Sequence, residues 1–214
     1  MKSAKVSCIV FLNNYRKDDI AVHNGINIII EGSGKHCHLT RETLEKLFGE
    51  GFEMEVKKML TQPGQYATPH KVTVVGPKRS TEVSIIGPCR KADQVELSFT
   101  DAKALGFKNV PIRESGDLKN TPGCTLIGPK GEVKIDEGVI IAKRHVHITP
   151  EDAAKFGIAD KQIVSVKVLG DRSITFGEVV ARVHPDYATF MHIDYDEWNA
   201  AAVCGEEPTG VILV

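Results

Sequence analysis

The sequence lacks the excess of one charge sign that nucleic-acid-binding proteins and membrane-surface proteins use. Its 214 residues carry 27 Lys and Arg against 28 Asp and Glu, which gives a formal net charge of −1 at pH 7. No block of like charge stands out along the chain, so nothing gives the protein a general attraction for polyanions or anionic lipid. We therefore predict a protein that binds neither nucleic acid nor membranes.

Paired cysteines and long apolar runs are also missing. The five cysteines are odd in number and include no C-x-x-C pair, which argues against a disulfide framework, a redox motif or a zinc knuckle. The apolar residues 6–11 are far too few to cross a bilayer, which takes about 20 residues. These absences predict a cytoplasmic protein without a secretory signal.

Short runs of β-branched residues recur between Gly, Pro and Asp, and this pattern predicts a mainly β fold with few helices. The predicted strands lie within residues 26–30, 72–75, 83–86, 139–141, 163–168, 179–183 and 211–214. Three segments instead begin with Thr and end with Gly in the manner of short helices, at residues 40–49, 100–106 and 149–157. The last is the clearest, with Thr149 as N-cap, Pro150 at the first helical position and Gly157 as the stop.

Two imperfect internal repeats indicate duplication of a barrel-like unit. Residues 35–40 read K-H-C-H-L-T and residues 144–149 read R-H-V-H-I-T, so each has H-x-H, an apolar residue and a capping Thr. Residues 72–78 and 124–130 form the second pair, with V-T-V-V-G-P-K against C-T-L-I-G-P-K. The order of the repeats differs between the two halves, so the strands need not divide at the midpoint.

The two H-x-H pairs are candidate metal sites. On a strand, side chains two residues apart share a face, so His36 lies beside His38 and His145 beside His147. Eight histidines in this length give roughly 0.3 such spacings by chance. A catalytic zinc ion usually takes three protein ligands, so each pair needs a third. Glu96 and His192 are candidates, although each on its own is more readily explained as a structural or exposed residue.

Longer motifs resemble the PduL-type phosphotransacylases, also called phosphate propanoyltransferases, and the chain is identified as a member of that family. The resemblance runs from about Gly25 to the C-terminus. Its motifs are K-H-C-H-L, Q-P-G-Q, V-G-P-K, G-P-C-R-K-x-x-Q-V-E, R-E-S-G-D-L, G-V-I-I-A-K-R-H-V-H-I-T-P-E-D-A and M-H-I-D-x-D-E-x-N-A-A.

The resemblance implies two zinc ions per chain in one cleft, together with sites for phosphate and for coenzyme A. The implied ligands of the first zinc are His36, His38 and Glu96, and those of the second are His145, His147 and His192. Arg90 matches the catalytic arginine that binds phosphate, and a planar guanidinium suits that anion. The implied coenzyme A contacts are Gly32, Ser33, Gly34, Lys78 and Asn199.

This chain departs from the family motifs at the first H-x-H. The family reads S-N-R-H-V-H there, whereas residues 33–38 read S-G-K-H-C-H, so an Asn is lost and Lys35 replaces an Arg. Both histidines remain, and Cys37 between them faces the other side of the strand and packs into the interior. The family also tends to have a basic residue where Ser84 stands, so no coenzyme A contact is assigned to Ser84.

The implied reaction is the reversible conversion of a propanoyl- or acetyl-CoA plus phosphate to acyl phosphate plus coenzyme A. Zinc suits it as a Lewis acid and as a partner for the departing thiolate, and direct attack by phosphate needs no G-x-S-x-G elbow, which the sequence lacks. An acyl-enzyme on Cys37 or Cys124 stays open. So do a two-zinc hydrolase of a thioester or phosphate ester, and a non-catalytic zinc-stabilised scaffold, which would need four ligands for each metal.

The resemblance also implies two small β-barrel domains capped by short α-helices. The first barrel takes residues 24–34 plus 143–214, and the second takes residues 35–142. Residues 1–23 form an N-terminal extension without the apolar stripe of an encapsulation helix. The family's link to propanediol degradation in bacterial microcompartments leaves shell association open, and homo-oligomerisation is open as well.

Overall fold

The computed structural model describes residues 26–205 and 208–213. Over these residues the chain forms fifteen strands in two sheets and four short helices, so the predicted mainly β fold with helical caps is confirmed. The predicted extension at residues 1–23 lies outside the described residues. The division of the chain into two domains stays a prediction.

One sheet closes into a six-stranded barrel. Its strands run in the order β1-β14-β11-β13-β12-β15. Their bounds are Ile26–Ser33 for β1, His145–Ile148 for β11, Ile163–Val168 for β12, Ile174–Val183 for β13, Phe190–Asp194 for β14 and Thr209–Leu213 for β15. Alternate residues of these strands fill the interior, as in β12, where Val164, Val166 and Val168 are buried. The interior of the barrel is therefore a packed hydrophobic core.

The other sheet has nine strands and is open, so it forms a half-barrel. The strand order is β7-β10-β6-β2-β5-β4-β8-β9, and β3 pairs with β4. The bounds are His36–His38 for β2, Lys58–Met59 for β3, Tyr66–Val75 for β4, Ser80–Gly87 for β5, Gln94–Leu97 for β6, Ile112–Arg113 for β7, Cys124–Ile127 for β8, Glu132–Ile135 for β9 and Val139–Ala142 for β10. Cys37 is fully buried in its core, as predicted.

The helices are α1 (Arg41–Phe48), α2 (Phe99–Leu105), α3 (Pro150–Phe156) and α4 (Tyr195–Ala200). Thr40 and Thr149 cap α1 and α3 as the sequence predicted, each accepting a hydrogen bond from a backbone N–H in the first turn. The predicted start of α2 at Thr100 is two residues late, because the side chain of Ser98 is the N-cap. No helix in the described segments has the length and apolar character needed to span a bilayer.

Sequence analysis did not predict α4. Asp194 caps it in a reciprocal arrangement, because its side chain accepts from the backbone of Glu197 while the Glu197 side chain accepts from the backbone of Asp194. The D-x-x-E spacing was a usable signal for this capping box. The helix follows the short apolar strand β14 directly, so the hydrophobic pattern alone does not show where the strand ends and the helix begins.

Candidate active site

The first candidate metal group lies where β2 pairs with β6. His36 and Glu96 are directly opposite each other in this antiparallel pair, and His38 shares their face. The Nε2 atoms of His36 and His38 lie 3.5 and 3.9 Å from the Glu96 carboxylate oxygens. The Nδ1 atom of His36 donates to the Gly34 carbonyl at 2.8 Å, which leaves Nε2 with a free lone pair. The three ligand atoms lie within 4.8 Å of one another.

The second candidate group lies where β11 pairs with β14. His145 is directly opposite His192, His147 shares their face, and the three ligand atoms again lie within 4.8 Å of one another. The Nδ1 atom of His145 donates to the Lys143 carbonyl at 2.9 Å. The Nε2 atoms of His147 and His192 are buried and find no hydrogen-bond partner in the described residues. A buried nitrogen without a partner is costly, so these atoms fit a metal ion that they would ligate.

The electrostatics of both groups suit a cation. Desolvation lowers the pKa of His38 to about 3, of His145 and His192 to about 4, and of His147 to about 2. Desolvation by itself raises the pKa of Glu96, but the nearby histidines and Arg90 more than offset it and hold that pKa below its usual value. At neutral pH His38, His145, His147 and His192 are therefore neutral and Glu96 is a carboxylate, which are the protonation states that metal ligation requires.

The two groups are built on the same local plan. Each H-x-H strand lies between a parallel neighbour and an antiparallel neighbour, and the antiparallel one carries the third ligand. Each ligand strand then runs into a helix whose N-cap comes two residues after the last ligand. The pairs of ligand and cap are His38 with Thr40, Glu96 with Ser98, His147 with Thr149 and His192 with Asp194.

This plan extends the sequence repeat to the third ligands. Residues 96–99 read E-L-S-F and residues 192–195 read H-I-D-Y, so each has a ligand, an apolar residue, a cap and an aromatic. That correspondence is a signal in the sequence for both third ligands.

Five of the six candidate ligands line one cleft of about 730 Å³ together with Arg90, namely His36, His38, Glu96, His145 and His192. His147 completes the second group but is not among the described residues that line the cleft. The Nη1 atom of Arg90 donates to the Ser115 hydroxyl at 2.8 Å, and Ser115 donates to Glu96 at 3.1 Å. The buried Gln94 side chain donates to Glu96 at 2.5 Å and to Ser115 at 2.8 Å. Ser115 and Gln94 therefore hold the phosphate-binding candidate and one metal ligand in a fixed relation.

Sequence analysis assigned no role to Glu31, Ser115 and Arg182, which line the cleft, or to Gln94, which donates to Glu96 and Ser115. Arg182 lies on β13 opposite His147, and its charge contributes to the lowered pKa of the second-group histidines. Gln94 and Ser115 stand inside motifs that were recognised, but the motifs carried no sign of their contacts. Arg182 had no local signal beyond being a charged residue between the apolar Ala181 and Val183.

The predicted coenzyme A contacts divide into two sets. Gly32, Ser33 and Gly34 line the cleft, whereas Lys78 and Asn199 are not among the described residues that line it. Lys78 packs its side chain beside Gly106, and Asn199 is exposed on α4. The role of all five residues in coenzyme A binding stays a prediction.

The two glycines also have a packing role. A Cβ atom at Gly32 would lie 2.8 Å from the Trp198 ring, and one at Gly34 would lie 2.9 Å from the Tyr195 ring. A side chain at either position would therefore displace an aromatic ring of α4.

We expect Ser115→Ala to lower kcat/KM for phosphate about tenfold, because Arg90 and Glu96 lose a shared partner at a cost of about 1.4 kcal/mol. Ser84→Ala is the matched control, since Ser84 also lines the cleft and no hydrogen bond joins its side chain to Arg90. Steady-state kinetics with varied phosphate measure the effect. Equal kcat/KM values for phosphate in Ser115→Ala and Ser84→Ala would show that the Ser115 contact does not hold Arg90 in place.

Comparison with known proteins adds an independent finding. A family model described as phosphate propanoyltransferase matches residues 29–204. The phosphate propanoyltransferase of Clostridioides difficile is 51% identical over 179 residues, which cover 83% of this chain and 84% of that protein. The phosphate propanoyltransferase of Listeria monocytogenes is 51% identical over 177 residues, which cover 82% of this chain and 81% of that protein. That of Thermotoga maritima is 53% identical over 176 residues, covering 81% of this chain and 83% of its own.

Proposed function

The chain belongs to the phosphate propanoyltransferase family, and we propose that it interconverts a short-chain acyl-CoA plus phosphate with acyl phosphate plus coenzyme A. Propanoyl and acetyl are the proposed acyl groups. The observation that carries the proposal is the cleft itself, where Arg90 lies with five of the six residues of the two candidate metal groups. Such a cleft offers an arginine fork for phosphate beside sites for Lewis acids.

The proposed cofactor is zinc, with one ion for each group. The first would be held by His36, His38 and Glu96, and the second by His145, His147 and His192. Three protein ligands for each metal are typical of catalytic zinc, which keeps a position open for substrate, whereas a structural site is closed by four. Bound zinc would supply Lewis acidity toward the phosphate and thioester oxygens and a soft partner for the thiolate.

The residues of the chain itself bind and orient phosphate. Arg90 presents a planar fork of N–H donors, and its contact with Ser115 limits the directions in which that fork can point. Arg182 places a second positive charge in the same cleft, which favours a phosphate dianion there. An oriented phosphate oxygen then attacks the thioester carbonyl carbon, the C–S bond breaks, and coenzyme A leaves as the thiolate.

Direct attack is the proposed route because the two candidate cysteines are unsuited to form an acyl-enzyme. Cys37 and Cys124 are buried in the half-barrel core, and neither is among the described residues that line the cleft. Burial raises the pKa of Cys124 to about 12 and that of Cys37 further still. Neither thiol would ionise near neutral pH, and the thiolate is the nucleophilic form.

An assay with acetyl-, propanoyl- and butanoyl-CoA tests the proposed function. We expect thiol release that depends on added phosphate and is matched by an equal amount of acyl phosphate, captured as the hydroxamate. Thiol release without phosphate, accompanied by free acid, would identify a hydrolase instead. Absence of turnover with every acyl-CoA in zinc-loaded protein would favour the non-catalytic scaffold.

A further inference from the structure

Glu31 lies behind one ligand of the second candidate metal group. It stands on β1 directly opposite His192 in the parallel pairing of β1 with β14. Its Oε2 atom lies 3.6 Å from Nδ1 of His192, which is close but longer than a hydrogen bond. The same oxygen accepts a hydrogen bond from the Thr61 hydroxyl at 2.5 Å. The Thr61 hydroxyl thus holds the Glu31 carboxylate beside the Nδ1 atom of the His192 ring.

The contact sets His192 apart from three of the other candidate histidines. The Nδ1 atoms of His36, His38 and His145 each face a backbone carbonyl oxygen, at 2.8, 3.2 and 2.9 Å. His192 faces an ionisable carboxylate instead, while its Nε2 atom is buried without a partner in the described residues. A carboxylate behind a metal-bound imidazole fixes the ring and makes it a stronger ligand.

We propose that Glu31 is a positioning residue that holds the His192 ring with Nε2 toward the second metal ion and strengthens its binding. The inference rests on the proposed two-zinc function. Thr61 secures Glu31 from the segment between β3 and β4 of the half-barrel, whereas Glu31 and His192 belong to the closed barrel. The contact therefore links a ligand of the second metal to the opposite wall of the cleft.

Zinc affinity measured by competition with a graded series of chelators tests this role. Replacing Glu31 by Gln keeps the size of the side chain and removes its charge, so we expect one of the two zinc equivalents to bind about 10- to 100-fold more weakly. The other equivalent should bind as before. Thr61→Val should weaken the binding of the same zinc equivalent by a smaller factor, because Glu31 keeps its charge but loses the hydrogen bond from Thr61. Glu31→Asp should restore part of the affinity that Glu31→Gln loses.

Glu82→Gln is the matched control, since Glu82 is an exposed carboxylate that pairs with Lys71 on the half-barrel and is not among the described residues that line the cleft. Its chelator curve should match that of the parent protein. Unchanged zinc affinity in Glu31→Gln, or equal weakening of both equivalents, would overturn the assignment. Failure of the proposed zinc site itself has a different signature, because the parent protein would then bind no zinc. Thermal melting of the metal-free variants checks that each one folds.

Discussion

Protein stripped of metal by a chelator is expected to lose acyl transfer almost completely and to regain it when zinc is returned. The six candidate ligands are buried or half-buried, and five of them line one cleft. Desolvation lowers the pKa of His38, His145, His147 and His192, so these four carry no competing proton near neutral pH. Elemental analysis of protein purified without chelator should give about two zinc equivalents per chain, one for each three-ligand group. Folded protein that contains no bound transition metal would refute the metal proposal.

Single ligand variants should separate the two groups. His145→Ala is expected to empty the second site while the first largely keeps its metal, because the groups share no ligand. Acyl transfer should then fall toward the level of the metal-stripped protein. His184→Ala is the control, since His184 is exposed and belongs to neither group. Equal loss of both metals in His145→Ala would indicate a single interdependent cluster.

The local features of the site could be predicted from the sequence. Side chains two apart on a strand share a face, so the two H-x-H pairs follow from periodicity alone. The caps Thr40 and Thr149 follow from the Thr that starts each helical pattern. The assignment of Glu96 and His192 as third ligands drew on the family resemblance. The correspondence of residues 96–99 with residues 192–195, in which each residue comes two positions before a helix cap, is a second signal in the sequence.

The remaining parts of the cleft depend on strand register, which local sequence does not encode. Glu31 meets His192 only because β1 pairs in parallel with β14. Arg182 meets His147 only because β13 lies beside β11. Ser115 reaches Arg90 and Glu96 from a loop after β7. The closure of a sheet into a barrel is likewise not encoded locally, because it depends on the order of all its strands, and only one of the two sheets closes.

Replacing Arg90 by Ala is expected to slow acyl transfer about 30- to 1000-fold, which corresponds to roughly 2 to 4 kcal/mol of transition-state stabilisation. The fall in kcat/KM should be far larger for phosphate than for acyl-CoA. Zinc content and thermal stability should stay nearly unchanged. Ser115 keeps its contacts with Gln94 and Glu96 when Arg90 is removed, so no buried polar group is left without a partner.

Arg90→Lys should recover only part of the rate, because an ammonium group keeps the charge but not the planar fork. Arg172→Ala is the matched control, since Arg172 is exposed in the turn between β12 and β13. Near-normal phosphate kinetics in Arg90→Ala would refute the assignment. Collapse of the folded protein would refute it as well, because the partner lost with Arg90 would then be part of the fold and not a substrate. Selective loss against phosphate in zinc-loaded, folded protein is the one result that makes Arg90 the anion-binding group of the cleft.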